Sequence, residues 1–148
     1  MSQRRIYVDT NVLVNYFTKQ ADDVHCINYL LTKVRKEILF TSSLAKMQAI
    51  SILQTKKGSR RKFSRTEIID CCNDIDLRFS IIDLTNKDVV KGAQERNEDV
   101  EDNVHFILAD KLKCDVIITN NTSDFVYFRN RIISLTPKDM GKIRKLIR

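Results

Sequence analysis

Short apolar runs alternate with longer segments of helical period, and this alternation narrows the possible folds more than any other feature of the chain. Ile6-Tyr7-Val8 is continuous and apolar enough to lie centrally in a parallel sheet, and Phe79 to Ile82 and Val116-Ile117-Ile118 are further short strand-like runs. Between them, apolar residues recur three and four positions apart, as Val12, Leu13, Tyr16 and Phe17 do. Strands separated by helices imply a parallel sheet covered on both sides. One Pro and three Gly are too few for an all-β chain turning every ten residues or so. The reading is an α/β fold: one three-layer domain over 1–148, with a central parallel sheet of four or five strands flanked by helices.

The spacing predicts strands at Arg5–Val8, Glu37–Thr41, Phe79–Ile82 and Cys114–Thr119, with a short fifth at Ile132–Leu135. Helices are expected from Thr10, from Asp22 to Arg35, from Ser42 or Ser43 to about Thr55, and from Thr66 to Leu77. Others follow from Thr85 to about Asn97 and from Glu101 to Lys113, the latter with Val104, Ile107, Leu108 and Leu112 on one face. Pro137 is expected to open a last, basic helix. Lys56 to Arg65 reads as an exposed, mobile connection.

Cys26, Cys71, Cys72 and Cys114 lack C-x-x-C spacing and have only two His to assist, so buried thiols are expected rather than zinc. Nothing approaches the roughly twenty apolar residues of a membrane span, and Arg4 and Arg5 lead straight into a strand. A cytoplasmic protein without membrane contact is expected. A net charge of +7 biases it toward anionic partners.

Acidic and amide residues gather where strands should end or a helix should open: Asp9-Thr10-Asn11, Asp99-Val100-Glu101-Asp102, and Thr119-Asn120-Asn121-Thr122-Ser123-Asp124-Phe125. In open α/β sheets, ligands sit beyond the carboxyl ends of the strands. Carboxylates brought together there, without lysines beside them in sequence, suit Mg²⁺ or Mn²⁺. Each acid also has a plainer reading as a helix cap or a macrodipole partner. On a helical wheel Asp102 points about 160° from Val104, off the core face. His105 sits about 100° from that face and is given no catalytic role.

The order of these segments resembles a PIN domain, the nuclease fold of VapC toxins. The resemblance lies in I-Y-V-D-T-N-V-L-V at Ile6 to Val14, D-V-E-D-N-V-H-F-I-L-A at Asp99 to Ala109, and D-V-I-I-T-N-N-T-S-D-F at Asp115 to Phe125. Leu135-Thr136-Pro137 resembles the close of such domains. The resemblance implies Asp9, Asp102 and Asp124 as metal-site carboxylates, with Asn11, Thr119 and Asn121 as polar support and Asp99 and Glu101 as acids behind the site. It places Gln48 where the family usually has Glu. Gln48 is read either as a core amide bonded to backbone or as a neutral acceptor for a metal-held water.

The resemblance implies a Mg²⁺- or Mn²⁺-dependent endoribonuclease, the toxin of a toxin–antitoxin pair, with a small antitoxin partner and homodimerisation through the early helices. The product expected by resemblance carries a 5′-phosphate and a 3′-hydroxyl. Lys56, Lys57, Arg60, Arg61, Lys62 and Arg65 are expected to grip the RNA backbone, and Arg129, Arg131, Lys142, Arg144, Lys145 and Arg148 form a second basic set. Phe63, Tyr127 and Phe128 read as core or base-stacking aromatics. The alternative is a catalytically silent PIN-like module, binding RNA or protein, in which Gln48 marks lost activity.

Overall fold

A computed structural model describes residues 4–58 and 60–147. Five parallel strands form one sheet in the order β3-β2-β1-β4-β5. They are β1 (Ile6–Val8), β2 (Leu39–Ser42), β3 (Ser80–Ile82), β4 (Val116–Ile118) and β5 (Ile133–Leu135). Tyr7 lies opposite both Phe40 and Ile117, so β1 is central. The chain builds outward from β1 to β3, then returns to place β4 on the other side of β1. That reversal opens a crevice at the carboxyl ends of β1 and β4, where such sheets bind ligands.

Strand side chains alternate between the faces. Ile6, Val8, Leu39, Val116 and Ile118 enter one core, packed with Val12, Leu13, Cys26 and Leu30. Tyr7, Phe40 and Ile117 enter the other, with Phe106, Leu108, Phe125 and Phe128. The first core lies under α1 (Thr10–Phe17), α2 (Ala21–Lys33), α3 (Ser43–Leu53) and α4 (Arg65–Arg78). The second lies under α6 (Val100–Lys111), with α5 (Asn86–Gln94) packed against it. The helix starts follow from capping: Ser42 accepts from the Ala45 amide, and Ser64–Glu67 and Thr85–Asp88 form reciprocal capping boxes.

Some local expectations are corrected. β2 begins at Leu39 because Lys36–Ile38 forms a 3-10 turn. The last helix, α7, spans Met140–Ile147 and does not open at Pro137. The Thr136 hydroxyl instead donates to the Asp139 carboxylate, and Asp139 O accepts from the Ile143 amide, so the chain turns once more before the helix. On α4, Cys71 is buried while Ile69 is 52% exposed. Within the 56–65 connection, Phe63 is buried and Gly58 takes φ +57 in a tight turn. All four cysteines are free. Among the described residues, no helix is long and apolar enough to cross a membrane.

α6 departs most from its expected single core face. Asn103, Val104, His105, Phe106, Leu108 and Ala109 are all buried, because the helix is wedged between sheet and α5. Gly92 makes that wedge possible: a Cβ there would lie 2.5 Å from Val104 Cγ2. Asn103 Nδ2 locks the joint by donating to the carbonyls of Gly92 and Asn97. Gly92→Ala should therefore destabilise the fold by about 1–3 kcal/mol through overpacking. Urea unfolding would read this as a lower midpoint at unchanged slope.

Candidate active site

Asp9 leaves β1 at the crevice and performs two jobs at once. Its Oδ1 caps α1 by accepting from the Thr10 amide at 2.7 Å. Its Oδ2 accepts from the Thr119 hydroxyl at 2.8 Å and from Asn11 Nδ2 at 3.2 Å. Asn11 is fixed in turn, since its Oδ1 accepts from the Asn120 amide at 2.8 Å. Asn120 Nδ2 donates to Asp23 of α2 at 2.7 Å. The end of β4 therefore holds the end of β1 through side chains as well as through the sheet. Three donors on a carboxylate that is only 6% exposed keep it oriented toward the cleft.

A second network enters from α3 and α6. Gln48 Nε2 donates to Glu101 Oε2 at 3.2 Å, which turns its carbonyl inward. That Oε1 accepts from the Thr10 hydroxyl at 2.7 Å and lies 2.8 Å from His105 Nε2. A carbonyl only accepts, so His105 carries its proton on Nε2 and Nδ1 accepts from the Tyr7 hydroxyl at 2.7 Å. Tyr7 then accepts from Ser42 at 2.7 Å, whose oxygen takes the Ala45 amide. The whole row runs in one proton direction with neutral imidazole. Burial agrees, holding His105 below its usual range against the pull of Asp9, Glu101 and Asp99. Burial also raises Tyr7 well above the normal phenol value.

Gln48 is thus no core amide bonded to backbone. Both ends of its amide meet side chains of the site. His105, set aside on sequence grounds, is 3% exposed, and its Nε2 lies 3.7 Å from Asp9 Oδ1. The missed signal was its spacing three residues from Asp102, which places both on neighbouring positions of one helix.

Asp9, Asn11, Gln48, Glu101, Asp102, Asn121 and Asp124 line one open cavity of about 450 Å³. Thr119 sits behind it on Asp9, its oxygen also receiving the Asn121 amide at 3.1 Å. Asp99 caps α6 by accepting from the Asp102 amide and is not among the lining residues. Burial and then the neighbouring Asp124, Asp99, Asp9 and Glu101 carboxylates push Asp102 up to about 7. Partial desolvation first, then Asp9 and Asp99, also raises Asp124, although the residue stays exposed.

This concentration of negative charge favours a cation. Among the described residues, no three Asp, Glu, His or Cys side chains are grouped tightly enough to hold a metal ion unaided. The donor set fits Mg²⁺ or Mn²⁺ in the mode where one or two carboxylates bind and water completes the shell. Asp102 also makes a stability statement. Its folded-state value lies above the unfolded one, so its contribution is lost as pH rises from about 4 to about 7. Asp102→Asn should therefore raise the metal-free melting temperature at pH 8 by about 2–4 °C, the partial exposure of the group limiting the gain, and by less at pH 5.

The basic residues separate into different settings. Arg61 is bidentate on Glu67 at 2.8 and 2.6 Å, and Arg60 Nη2 donates to the Ile52 and Thr55 carbonyls at the end of α3. Lys56, Lys57, Lys62 and Arg65 are exposed. Arg129 donates to the Val126 carbonyl, Arg131 lies over Phe106 and Phe128, and Arg144 lies over Tyr29. Lys142 and Lys145 are exposed, and Arg148 lies outside the described residues. Phe63 and Phe128 are core, whereas Tyr127 is 44% exposed.

By sequence, no family profile and no curated protein matches the chain. Solved structures do match. A chain of FitAB bound to an IR36 DNA fragment superposes with a TM-score of 0.65 at 15% identity, covering 90% of this chain and 95% of its own. A chain of DNA-bound VapBC from Salmonella typhimurium gives 0.65 at 15%, covering 90% and 98%. A toxin–antitoxin complex from Klebsiella pneumoniae gives 0.63 at 16%, covering 89% and 97%. The chain has the PIN-like α/β three-layer fold. That fold is shared with proteins of toxin–antitoxin complexes over nearly its whole length.

Proposed function

We propose that this protein is a Mg²⁺- or Mn²⁺-dependent endoribonuclease, the toxin of a toxin–antitoxin pair. The observation that carries the reading is the meeting of Asp9, Asp102 and Asp124 in one cavity at the crevice between β1 and β4. The fold shared with FitAB and VapBC chains supports it, as does the resemblance of the D-T-N and T-x-N-x-x-D-F segments to PIN domains. Asp9 and Asp102 would hold the metal, directly or through water, and Asp124 would complete the site or orient the attacking water. Bound there, a divalent ion would supply an activated water and neutralise charge on the phosphate. The residues do the positioning. Thr119 and Asn11 aim Asp9, and Asp99 fixes the first turn of α6 that presents Asp102. Gln48 ties Glu101 to the wall formed by Thr10 and His105.

The partner in this reading is a small antitoxin. Self-association through α1 and α2, whose outer surface has a hollow of about 630 Å³ lined by Tyr16, Phe17, Val24 and His25, belongs to the same reading.

Asp102→Asn is the cleanest variant, because the Asp102 carboxylate makes no hydrogen bond among the described residues, and the cap that holds the residue runs from its backbone amide to Asp99. Purified protein should cut a mixed RNA pool with Mg²⁺ or Mn²⁺ and stop with EDTA. Asp102→Asn should cut roughly a hundredfold more slowly while remaining folded. If folded, metal-supplied protein leaves every RNA intact, the silent-module reading replaces this one, with Gln48→Glu as the variant to restore the missing acid.

A further inference from the structure

A basic cavity adjoins the acidic one, and the two share Ile52 near the C-terminal end of α3. It encloses about 650 Å³ between the α1–α2 turn and the connection following α3. Four cations line it, Lys19, Lys57, Arg60 and Arg61, and among the described residues no carboxylate does. Phe17 and Phe63 supply an apolar floor. Arg61 is committed to Glu67, but neither Lys19 nor Lys57 pairs with a carboxylate among the described residues. Arg60 contributes a guanidinium nitrogen, Nη1, that is buried and has no partner among the described residues. That nitrogen is closed off from the cavity, and the two carbonyl bonds of Nη2 hold the guanidinium charge fixed beside it.

We propose that this cavity is a phosphate-holding subsite for single-stranded RNA, receiving a backbone phosphate beside the one presented to the acidic pocket. The assignment rests on the nuclease reading for what the neighbouring pocket does, but the anion site stands on its own residues. The two cavities divide the work by charge. The carboxylate pocket repels phosphate until a cation binds, so affinity for the strand has to come from alongside. Lys19, Lys57 and Arg60 supply it where the strand crosses the end of α3, with half-buried Phe17 under a base or ribose. This singles out Lys57 and Arg60 from the basic run and adds Lys19, which lies far from that run in sequence.

Lys19 offers a matched control. It adopts a left-handed backbone with φ 62, and Lys113 does the same with φ 56 ahead of β4, at the opposite edge of the sheet. Lys19→Gly and Lys113→Gly therefore remove the same charge from the same conformation in two places, without backbone strain. Binding of a fluorescein-labelled single-stranded oligoribonucleotide would be measured on full-length Asp102→Asn protein across a salt series. Lys19→Gly and Lys57→Ala should each weaken binding roughly threefold to tenfold and reduce the log–log salt slope by about 0.7. Lys113→Gly should do markedly less, and melting temperatures confirm that each variant is folded.

Equal effects of Lys19→Gly and Lys113→Gly would overturn the subsite. So would absence of RNA binding, or displacement of the RNA by a polyglutamate peptide but not by unlabelled RNA. Separate cleavage assays distinguish the two claims. Metal-dependent cutting with no special role for Lys19 removes the subsite and leaves the nuclease. Lys19-dependent binding without cutting removes the nuclease and leaves the subsite.

Discussion

Asp9→Asn is expected to lower metal-dependent RNA cleavage by roughly a hundredfold to a thousandfold and to destabilise the metal-free protein by about 1–3 kcal/mol. The double effect follows from the hydrogen bonds. Both carboxylate oxygens face donors: the Thr10 amide on one side, and Thr119 and Asn11 on the other. An asparagine has only one acceptor oxygen. Whichever way its amide is turned, an NH₂ group meets another donor, so a buried bond is lost and a repulsive contact replaces it. Asp102→Asn should lose activity without that penalty. Cleavage rates and chemical denaturation of the two variants side by side test this contrast. Equal stability of Asp9→Asn and wild type would show that the network does not hold Asp9 as described.

The second large effect is structural. Phe128→Ala should cost about 3–5 kcal/mol. Phe128 is fully buried and stacks on Phe106 with ring centroids 4.0 Å apart and planes within 10°. Arg131 lies over both rings and reaches Glu95 at 3.3 Å. The 3-10 segment Thr122–Phe128 carries Asp124 on a short exposed arc, and only Phe125 and Phe128 are buried from it. Removing the Phe128 anchor should loosen Asp124 and weaken Mg²⁺ binding as well as stability. Denaturant melts and calorimetric Mg²⁺ titration would measure the two losses. Unchanged metal binding in a folded Phe128→Ala protein would separate Asp124 from the metal site.

Much of the architecture was legible in the chain. The apolar runs of β1 and β4, with helical segments between them, led to the parallel sheet, because a strand buried on both faces leaves no polar alternation to misread. Edge strand β3, by contrast, is only half-buried. Ser42 and Thr85 fall where helices are expected to start, since capping is a local bond between a side chain and an amide three residues on. The Ser64 cap starts α4 slightly ahead of the expected Thr66. Pro137 misled because its N1 preference competes with a Thr136–Asp139 turn, which sequence alone does not reveal. On α4 only Ile68, Cys71 and Ile75 are buried and Ile69 is exposed, because the helix meets its neighbours on a narrow stripe that the sequence leaves ambiguous.

The site divides along the same line. The sequence by itself determined which acids and amides stand at the carboxyl ends of β1 and β4. It also determined the D-T-N segment in which Asp9 both ends a strand and caps a helix. Each of these is a relation between residues a few positions apart. Only the tertiary structure decided that Asp9 is aimed by Thr119, Asn11 and, through Asn120, by Asp23 on another helix. It also decided that Gln48 and His105, 57 positions apart, share one proton direction with Tyr7 and Ser42. Lys19 joined Lys57 and Arg60 around one cavity in the same way. The reason is that burial and partner geometry depend on how layers pack, and α6 is enclosed by the sheet and α5 on sides that its own periodicity does not announce.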